Sequence, residues 1–474
     1  MSQIKIVATI GPVSNNAGML QALSDAGMNV ARLNGSHNSL DWHAETIRQI
    51  RDTLPDTPIL LDIPGRKIRT TDLAHEPSFA IGDTLILTTD ISHDGSAKVP
   101  VNYAHLHEDI TPGTVVFADD GTIRFTVAAV EGQDIHCRTE TAGTLKSRKG
   151  INVPGLTFRT ELITDRDRHL IGFARDNGVD FIGISFVESS DHVEAIRSLT
   201  GGSWPRIVSK VENQAGLDNV DDVVSATDVV MIDRGDLSVE TNLENLAIFQ
   251  KNILETGRKH GKPVIVATEM LHTMIENPFP TKAEVSDISN TVLDGASATM
   301  LSGETAVGSH AVEAVATMRR VSNAALAYFQ SNQDALELRT GQTVAQSVGQ
   351  AIHQLCQSLP ITKIVAVTIS GFAAQVVASY LPRQPILAVS NDPYAARSFN
   401  IIPGTTGIFA DFPFSKTSTD HIPACLELLW RRRHLEADDM VLVTALAYPR
   451  SGNRMNLIET HVLGDLAETL GWKV

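Results

Sequence analysis

Short apolar runs alternate with amphipathic stretches over the first 69 residues of the chain. The runs "KIVATI", "NVARLN" and "ILLDI" have strand length, and the segments between them space their apolar residues as helices do. Strands that are buried on both faces form such continuous apolar runs, and helices between them produce a parallel sheet. Residues 1–69 therefore predict three βα units of an α/β fold.

The pattern changes to an alternation of apolar and polar residues between residues 70 and 150. Segments such as "GDTLILTTD" and "GTVVFADDGTIRFTVAAVEGQDIHCRT" contain Asp-Asp-Gly and Glu-Gly turns between short strands. Alternation that is interrupted by such turns indicates antiparallel hairpins. We therefore predict an inserted small antiparallel β-barrel domain over residues 70–150.

Strand and helix patterns resume at residue 151 and supply five more apolar strands. They are "FIGISF", "RIVSKVE", "DVVMIDRGDL", "PVIVATEM" and "ATMLSGE". With the first three they make eight strands, as a (β/α)8 barrel of about 250 residues requires. An open doubly wound sheet is the alternative, but no Gly-x-Gly-x-x-Gly follows the first strand. We predict a barrel built from residues 1–69 and 151–335.

A separate set of strands begins beyond residue 335. The runs "KIVAVTISG", "PILAVSND" and "DMVLVTA" alternate with helical stretches and predict a C-terminal open-sheet α/β domain over residues 336–474. The segment "TISGFAA" places Thr368, Ser370 and Gly371 between a strand and a helix, as in a phosphate-binding turn for an effector. An ordinary strand–helix turn would use the same residues, so both interpretations stay open.

Composition narrows the classes of function. The 474 residues are 42% hydrophobic without an apolar run of about 18 residues, so we expect a large core and no membrane span. The N-terminal "MSQIKIVATIGP" has no signal-peptide pattern, and three scattered cysteines are typical of a reducing compartment such as the cytoplasm. A net charge of −16 disfavours nucleic acid and anionic membranes as partners. An anionic substrate would need local cations or a metal.

Polar and charged side chains follow the apolar runs at the C-terminal ends of the predicted barrel strands, where barrel enzymes place their active sites. Lys210 and Glu212 are two residues apart, and so are Arg234 and Asp236. Residues two apart on a strand face the same way, so we expect both pairs to point into one mouth of the barrel. The other strand-end residues are Arg32, Asn34, Ser36, Asp62, Ser185, Thr268, Ser302 and Glu304.

These residue types predict phosphoryl transfer. Glu212 and Asp236 offer the hard oxygen ligands that Mg²⁺ or Mn²⁺ prefers. Lys210 and Arg32 supply cations for a phosphoryl group. A single charged pair at a strand end would indicate only a salt bridge, but the whole set follows successive strands in register. The residues expected to contact the substrate are Ser185, Gly235, Asp236 and Thr268.

Longer segments carry a family signature. The segments "KIVATIGP", "AGMNVARLNGSH", "SRKGINVPG", "SKVEN", "DRGDLSVE", "GKPVIVATEMLHTMIENPFPTKAEVSDISN" and "LDGASATMLSGETAVG" closely resemble the pyruvate kinase family, in order, from about residue 4 to residue 320. The resemblance implies a glycolytic enzyme that transfers a phosphoryl group from phosphoenolpyruvate to ADP and protonates the resulting enolate to pyruvate. It also implies a homotetramer whose β-domain closes over the site and excludes water.

The resemblance implies a role for each strand-end residue. Glu212 and Asp236 match the Mg²⁺ ligands. Lys210 and Arg32 match the residues that hold the transferring phosphoryl group, and Thr268 matches the residue near the enolate carbon. The monovalent-cation site matches Asn34, Ser36 and Asp62. The nucleotide-binding positions match Pro12, Asn34, His37, Arg69 and Lys149.

The chain departs from the family pattern close to these residues. Pro64 and Lys67 stand where the family has lysine and glutamate, and Glu188 stands where it has arginine. Asp233 replaces a small apolar residue, and we expect its carboxylate to weaken phosphoenolpyruvate binding unless a cation such as Arg66 pairs with it. These departures support an alternative hypothesis, a paralogue that acts on another 2-oxo acid or phosphorylated acid as a lyase or kinase. A non-catalytic sensor is a third hypothesis, which the intact strand-end residues disfavour.

Lys67 also bears on the monovalent cation, because family members with lysine at this position tend not to need K⁺. An ammonium group can supply the positive field that K⁺ gives, and it repels a nearby cation by roughly 4 kcal/mol at about 4 Å with an effective dielectric of about 20. We therefore predict that K⁺ is not required, although a Lys67 that faces solvent would leave Asn34, Ser36 and Asp62 free to bind it.

Overall fold

The computed structural model describes residues 4–156, 158–331, 343–415, 417–446 and 455–472. The expected boundary between residues 335 and 336 lies outside these ranges. Within them the chain forms a closed barrel, an inserted sheet and a C-terminal sheet. No helix in the described part of the chain is both long and apolar enough to cross a membrane.

Eight parallel strands close the barrel in the order β1-β17-β16-β15-β14-β13-β3-β2. All eight predicted runs form these strands, which confirms the (β/α)8 prediction. Almost every strand residue is buried, because the barrel interior covers one face and the helices cover the other. The strands are β1 (Lys5–Thr9), β2 (Val30–Asn34), β3 (Ile59–Ile63), β13 (Phe181–Ile184), β14 (Arg206–Val211), β15 (Val229–Asp233), β16 (Val264–Ala267) and β17 (Ala298–Leu301).

Amphipathic helices lie between and after the barrel strands. In the second of them the buried residues Thr46, Ile47 and Ile50 recur at helical spacing and face the barrel. The helices are α1 (Ala17–Ala26), α2 (Leu40–Thr53), α4 (Asp165–Asp176), α5 (Ser190–Thr200), α6 (Gln214–Asp218), α7 (Val220–Ala226), α8 (Arg234–Glu240), α9 (Leu246–His260), α10 (Lys282–Leu293), α11 (Gly303–Ala306) and α12 (Ala311–Ser331).

The insert between β3 and β13, here called the lid, has its own core around the buried Phe125 and Ile135. Its main sheet has the order β4-β12-β8-β9-β10-β6-β7 and is antiparallel except for the last pair. Its elements are β4 (Ile68–Arg69), β5 (Ser78–Phe79), β6 (Thr84–Thr88), β7 (Val99–Pro100), α3 (Leu106–Asp109), β8 (Val115–Ala118), β9 (Ile123–Glu131), β10 (Asp134–Thr139), β11 (Gly143–Thr144) and β12 (Gly150–Asn152).

The C-terminal sheet has the order β20-β19-β18-β21-β22, and only its last strand is antiparallel within the described ranges. Three of its strands were predicted, whereas the Thr- and Gly-containing β20 and the alternating edge strand β22 were not. The elements are α13 (Val344–Ser358), β18 (Lys363–Val367), α14 (Phe372–Ala378), β19 (Ile386–Ser390), α15 (Pro393–Ser398), β20 (Thr405–Phe409), α16 (His421–Arg431), β21 (Met440–Ala445), β22 (Leu457–Val462) and α17 (Leu463–Leu470).

The C-terminal domain packs against the end of the barrel where the strands begin. One apolar cluster contains Phe181 of the barrel together with Ile364 and Phe399 of the C-terminal domain. Beside it the fully buried carboxylate of Asp180 accepts hydrogen bonds from Arg51 at 2.6 Å and from Arg397 of the C-terminal domain at 2.9 Å. This contact joins the two domains at the end of the barrel opposite the predicted site.

We expect Asp180→Ala to lower the free energy of unfolding by roughly 3–5 kcal/mol, because it leaves two partly buried guanidinium groups without their carboxylate. Urea denaturation followed by circular dichroism measures the change. Asp176→Ala is the control, since the ion pair of Asp176 with Arg175 is exposed and such pairs contribute about 1 kcal/mol or less. Equal effects of the two substitutions would contradict this role of Asp180.

Candidate active site

The ammonium group of Lys210 lies at the centre of the charges at the C-terminal end of the barrel. Lys210 is carried by β14, and its Nζ is 2.9 Å from Glu212 Oε2, 3.0 Å from Asp233 Oδ2 and 4.0 Å from Asp62 Oδ2. It also donates to Ser185 Oγ at 3.3 Å. The structure therefore brings together residues from the ends of four barrel strands.

These neighbours fix the charge of Lys210. Burial alone would lower the pKa of Lys210, but Glu212, Asp233 and Asp62 outweigh burial and hold the pKa above its ordinary value. For Glu212 burial is the stronger effect, and it raises the pKa to about 8 despite the attraction of Lys210. Burial acts in the same direction on Asp233, but Lys210 lies so close that the pKa of this carboxyl falls below its usual range. A charged lysine thus remains at neutral pH inside the barrel mouth.

Three carboxylates form a group that suits a divalent cation. Glu212, Asp233 and Asp236 each offer one oxygen, and these oxygens lie within 4.8 Å of one another. Glu212 is fully buried, and its Oε1 accepts a hydrogen bond from the amide of Phe186 at 2.6 Å. Its Oε2 lies beside Lys210 but accepts no hydrogen bond of good geometry from any described residue. An unbonded, buried carboxylate oxygen in an all-oxygen group fits Mg²⁺ or Mn²⁺.

Arg32 is the second cation of the site, and Asp62 holds its side chain. The Nε and Nη2 atoms of Arg32 lie 2.8 and 2.7 Å from Asp62 Oδ2, and Nη1 donates to Thr9 Oγ1 at 2.9 Å. Asp62 also belongs to the predicted monovalent-cation set, in which Asn34 Oδ1 accepts from the amide of Ser36 at 3.0 Å. Asp62 Oδ2 is therefore already paired with a cation, whereas the buried Oδ1 accepts no hydrogen bond from the described residues.

The prediction that Arg234 and Asp236 face the same way is wrong. Strand β15 ends at Asp233, and both residues lie in helix α8. Residues two apart on a helix are separated by about 200° around its axis, so their side chains diverge. Arg234 donates to both carboxylate oxygens of Asp287 and to the carbonyl of Thr268, and only Asp236 reaches the three-carboxylate group.

The suggested pairing of Asp233 with Arg66 is also wrong, because each of them has another partner. Arg66 forms a short hydrogen-bonded ion pair with Glu188, and its guanidinium lies 4.8 Å from the ring centre of Phe158. Asp233 pairs with Lys210 instead. Both additional carboxylates therefore have a cation beside them, although Asp233 shares Lys210 with Glu212.

Lys67 connects the base of the lid to the carboxylates. Its Nζ donates to Asp236 Oδ1 at 2.5 Å and lies 5.4 Å from the ring centre of Phe186, so the side chain does not point into solvent. A cavity of about 340 Å³ opens beside it between the lid and the barrel. Its walls include Arg66, Lys67, Asn152, Phe158, Phe186 and Glu240.

The predicted nucleotide-binding residues are divided between the lid and the barrel. Arg69 is on lid strand β4 opposite Gly150, and Lys149 forms an ion pair with Asp119 at 2.6 Å. On the barrel side Pro12 and His37 are exposed. The pKa of His37 is lowered mainly by burial, and the positive charge of Arg69 adds to the shift.

Thr268 and Gly235 meet across two strand ends. Thr268 has a φ of +67°, a strained conformation for a β-branched residue, and its Oγ1 accepts from the amide of Gly235 at 2.8 Å. The amide of Gly235, which was expected to contact the substrate, therefore already has a partner. Glu304 differs from the other strand-end residues, because its carboxylate accepts from the amides of Leu271 and Ser302 and supports the backbone.

Comparison with known proteins decides the family. Residues 1–315 match the model of the pyruvate kinase barrel domain, and residues 346–461 match that of the pyruvate kinase alpha/beta domain. A pyruvate kinase of Bacillus licheniformis is 35% identical over 98% of this chain and 81% of its own length. Pyruvate kinases of Geobacillus stearothermophilus and Clostridium perfringens are 36% and 37% identical, over 98% and 82% of this chain and 80% and 85% of their own lengths. The chain belongs to the pyruvate kinase family.

Membership of the pyruvate kinase family makes the chain a phosphotransferase with pyruvate kinase activity. The likeness covers both domains and nearly the whole chain, so it includes the barrel mouth described above. Site residues that depart from the family pattern, above all Asp233, must therefore be compatible with that chemistry.

The predicted effector turn of this pyruvate kinase is tightly built. Thr368 Oγ1 accepts from the amide of Gly371 at 3.1 Å, and the carbonyl of Ser370 accepts from Arg206 at 2.6 Å. A Cβ on Gly371 would lie 2.6 Å from the ring of Phe399, so glycine is needed both for space and for its φ of +87°. These contacts explain the three residues as a domain junction, and binding of an effector here remains a prediction.

The sequence did not identify the surface on which the lid contacts helix α8. Asn152 of the lid donates to Glu240 Oε1 at 2.7 Å, and the turn at Gly121 lies against Val239. Burial raises the pKa of Glu240 to about 7. The segment "DLSVE" gave no signal for this role, because Glu240 reads as an ordinary exposed helix residue.

We expect Glu240→Gln to raise the melting temperature more at pH 8 than at pH 5. Glu240 binds its proton more tightly in the folded chain than its ordinary pKa of 4.5 allows, so the folded state loses stability as the pH rises from about 4.5 to about 7. A glutamine keeps the oxygen that accepts from Asn152 and removes the charge. Glu244→Gln, at an exposed position nearby, is the control. Parallel pH profiles of wild type and Glu240→Gln would contradict the buried carboxyl.

Proposed function

We propose that the chain transfers the phosphoryl group of phosphoenolpyruvate to ADP at the C-terminal end of the barrel and then protonates the enolate to give pyruvate. The observation that carries this proposal is the charged Lys210, buried between Glu212 and Asp233 and beside the Arg32–Asp62 pair. Phosphoryl transfer needs fixed positive charges around the oxygens of the transferring group and little else from the protein. Lys210 and Arg32 supply two such charges from adjacent parts of one mouth.

Arg32 is prepared for this role by its contacts. Asp62 and Thr9 hold its guanidinium on one side, and the group keeps its remaining donors for an anion. Such preorganisation matters because a donor that is already oriented costs no rearrangement when charge develops in the transition state. Lys210 has a more mobile stem, and we assign it to the charge that grows on the transferring group.

Glu212 and Asp236 are the residues that would hold Mg²⁺ or Mn²⁺, as the unbonded Oε2 of Glu212 and the oxygen spacing of the group support. When bound, a divalent cation neutralises charge on the phosphoryl and enolate oxygens. Thr268 places its hydroxyl beside Gly235 in a strained backbone that the strand ends impose, and we assign it to the proton that the enolate carbon receives.

The lid completes the site in this proposal. Arg69 and Lys149 on the lid, with Pro12, Asn34 and His37 on the barrel, would bind the phosphates and nucleoside of ADP. The contact of Asn152 with Glu240 supports closure of the lid onto α8, which would exclude water from a phosphoryl group that water could otherwise attack.

The proposal includes independence from K⁺. One observation supports it: the ammonium of Lys67 lies 2.5 Å from Asp236, inside the site. That ammonium supplies positive charge where K⁺ would act and disfavours a second cation nearby. The family resemblance also supports a cytoplasmic homotetramer. Sedimentation velocity would determine the mass of the assembly.

We expect Lys210→Met to reduce kcat by at least about 10³-fold in a coupled assay with phosphoenolpyruvate, ADP and Mg²⁺, with a smaller effect on KM, since its charge matters most in the transition state. Lys251→Met is the matched control, because Lys251 pairs with Asp294 on the surface of the barrel. Circular dichroism shows whether each variant is folded. A folded Lys210→Met with near-native kcat would refute the assignment, and so would a folded Glu212→Ala with near-native activity.

For the monovalent cation, we expect less than about a twofold change in rate when KCl replaces tetramethylammonium chloride at equal ionic strength, because the Lys67 ammonium already supplies the charge. Lys67→Glu should acquire activation by K⁺. Lys98→Glu reverses a charge in the lid away from the site and should not acquire it, since Lys98 pairs with Asp134. Activation of the wild type by K⁺ of tenfold or more would contradict this part of the proposal.

A further inference from the structure

Asp233 is a buried carboxylate that the proposed phosphoryl transfer does not use. It is the last residue of β15, and its side chain is 9% exposed. Its Oδ2 lies 3.0 Å from Lys210 Nζ, which Glu212 approaches at 2.9 Å from another side. The ammonium group of Lys210 is therefore shared by two close carboxylates, so neither of them has a cation to itself.

The charges at the barrel mouth balance only when one carboxyl group is protonated or a further cation binds. Among the described residues that meet there, the four carboxylates of Asp62, Glu212, Asp233 and Asp236 pair with only three cations. The three cations are Arg32, Lys67 and Lys210. A buried surplus of negative charge is costly unless a cation or a proton compensates it. A dication has the right sign to do so.

The positions of the oxygens agree with a shared cation. The oxygens offered by Glu212, Asp233 and Asp236 lie within 4.8 Å of one another. Two ligands of one Mg²⁺ bound at about 2.1 Å lie roughly 3.0 Å apart when they are adjacent and roughly 4.2 Å apart when they are opposite, so the three carboxylates need to move closer together to bind one ion. Glu212 Oε2 is buried and accepts no hydrogen bond of good geometry from the described part of the chain, and Lys210 Nζ lies 2.9 Å from it.

We propose that Asp233 is a third protein ligand of the divalent cation, together with Glu212 and Asp236, and that these three carboxylates bind the cation before substrate arrives. The inference rests on the proposed function only in that the same metal serves the reaction. Lys210 occupies the space between Glu212 and Asp233 while the metal is absent. Metal binding would release its ammonium toward the substrate phosphoryl group, and a third ligand would leave three octahedral positions for water and substrate.

The hydration of Mn²⁺ bound to the wild-type chain tests this set directly. Field-dependent relaxation of water protons counts the exchangeable waters on the metal in the absence of substrate. Three protein ligands leave at most about three waters in an octahedral shell, whereas two would leave about four. Three or fewer waters support the proposal. Four or more overturn it, and so does a chain that binds no Mn²⁺ unless phosphoenolpyruvate is present.

Substitution of Asp233 separates ligation from general charge. We expect Asp233→Ala to weaken Mn²⁺ binding by about tenfold or more and to add one water to the bound metal, as loss of a ligand does. Asp233→Asn keeps the shape and should weaken binding in the same direction. Asp218→Ala removes a carboxylate from the wall of the nearby cavity and should change the affinity by less than about twofold. Unchanged affinity and hydration in both Asp233 variants would overturn the proposal.

The outcome does not depend on whether the proposed reaction is correct. Mn²⁺ affinity and hydration are measured without phosphoenolpyruvate or ADP, and turnover is assayed separately on the same preparations. If the hydration of bound Mn²⁺ changes as expected but no pyruvate forms, the proposed function is refuted and the ligand assignment is kept. Pyruvate formation with four waters on the wild-type Mn²⁺ would refute the ligand assignment alone.

Discussion

The barrel mouth depends on the buried ammonium of Lys210. Four carboxylates converge on the ends of the strands and the first turn of α8, and each of them would repel the others without an intervening cation. Lys210 touches two of them and approaches a third at 4.0 Å. The buried ammonium of Lys210 stays charged only because of these carboxylates, and the carboxylates are stabilised by Lys210 in turn.

This mutual dependence connects the three parts of the molecule. Strand β14 carries Lys210 near one end, and at the other end Arg206 donates to Ser370 of the C-terminal domain. The lid reaches the same charges through Lys67, which pairs with Asp236, and through Asn152, which pairs with Glu240 at the far end of α8. The proposed phosphoryl-transfer site thus lies where a barrel strand, a short helix and the lid meet. A ligand that changes the charge of this site would therefore affect contacts of the strand, the helix and the lid.

The sequence was informative where one physical rule dominates. Continuous apolar runs predicted all eight barrel strands, because strands buried on both faces tolerate little else. The two-residue period of a strand placed Lys210 beside Glu212, as found. The same rule failed for Arg234 and Asp236, because β15 ends one residue earlier and a helix begins. Strand β20, with Thr405 and Gly407, lacked a long apolar run, so only its neighbours in the sheet define it.

Pairing between charges was the least predictable feature. Asp233 and Glu188 were both recognised as unusual, but the partner of each depends on distances of a few ångströms across strand ends. The sequence position of Arg66 is compatible with either carboxylate. In the structure its guanidinium lies over the ring of Phe158 and pairs with Glu188 in the loop after β13. The role of Lys67 was inferred from the family resemblance and its charge, and a solvent-facing side chain stayed open. Its contact with Asp236 depends on the path of the lid base, which the sequence does not show.

A double-mutant cycle on the free energy of unfolding tests the mutual dependence of Lys210 and its carboxylates most directly. Lys210→Met is compared by urea denaturation in the wild-type background and in Asp233→Ala, at neutral pH and without metal. In the wild type the substitution leaves buried carboxylates uncompensated and should cost roughly 3–5 kcal/mol. In Asp233→Ala the cost should be smaller by at least about 2 kcal/mol, since one of those carboxylates is gone. An equal cost in the two backgrounds would show that Lys210 and Asp233 are independent and would contradict this account of the site.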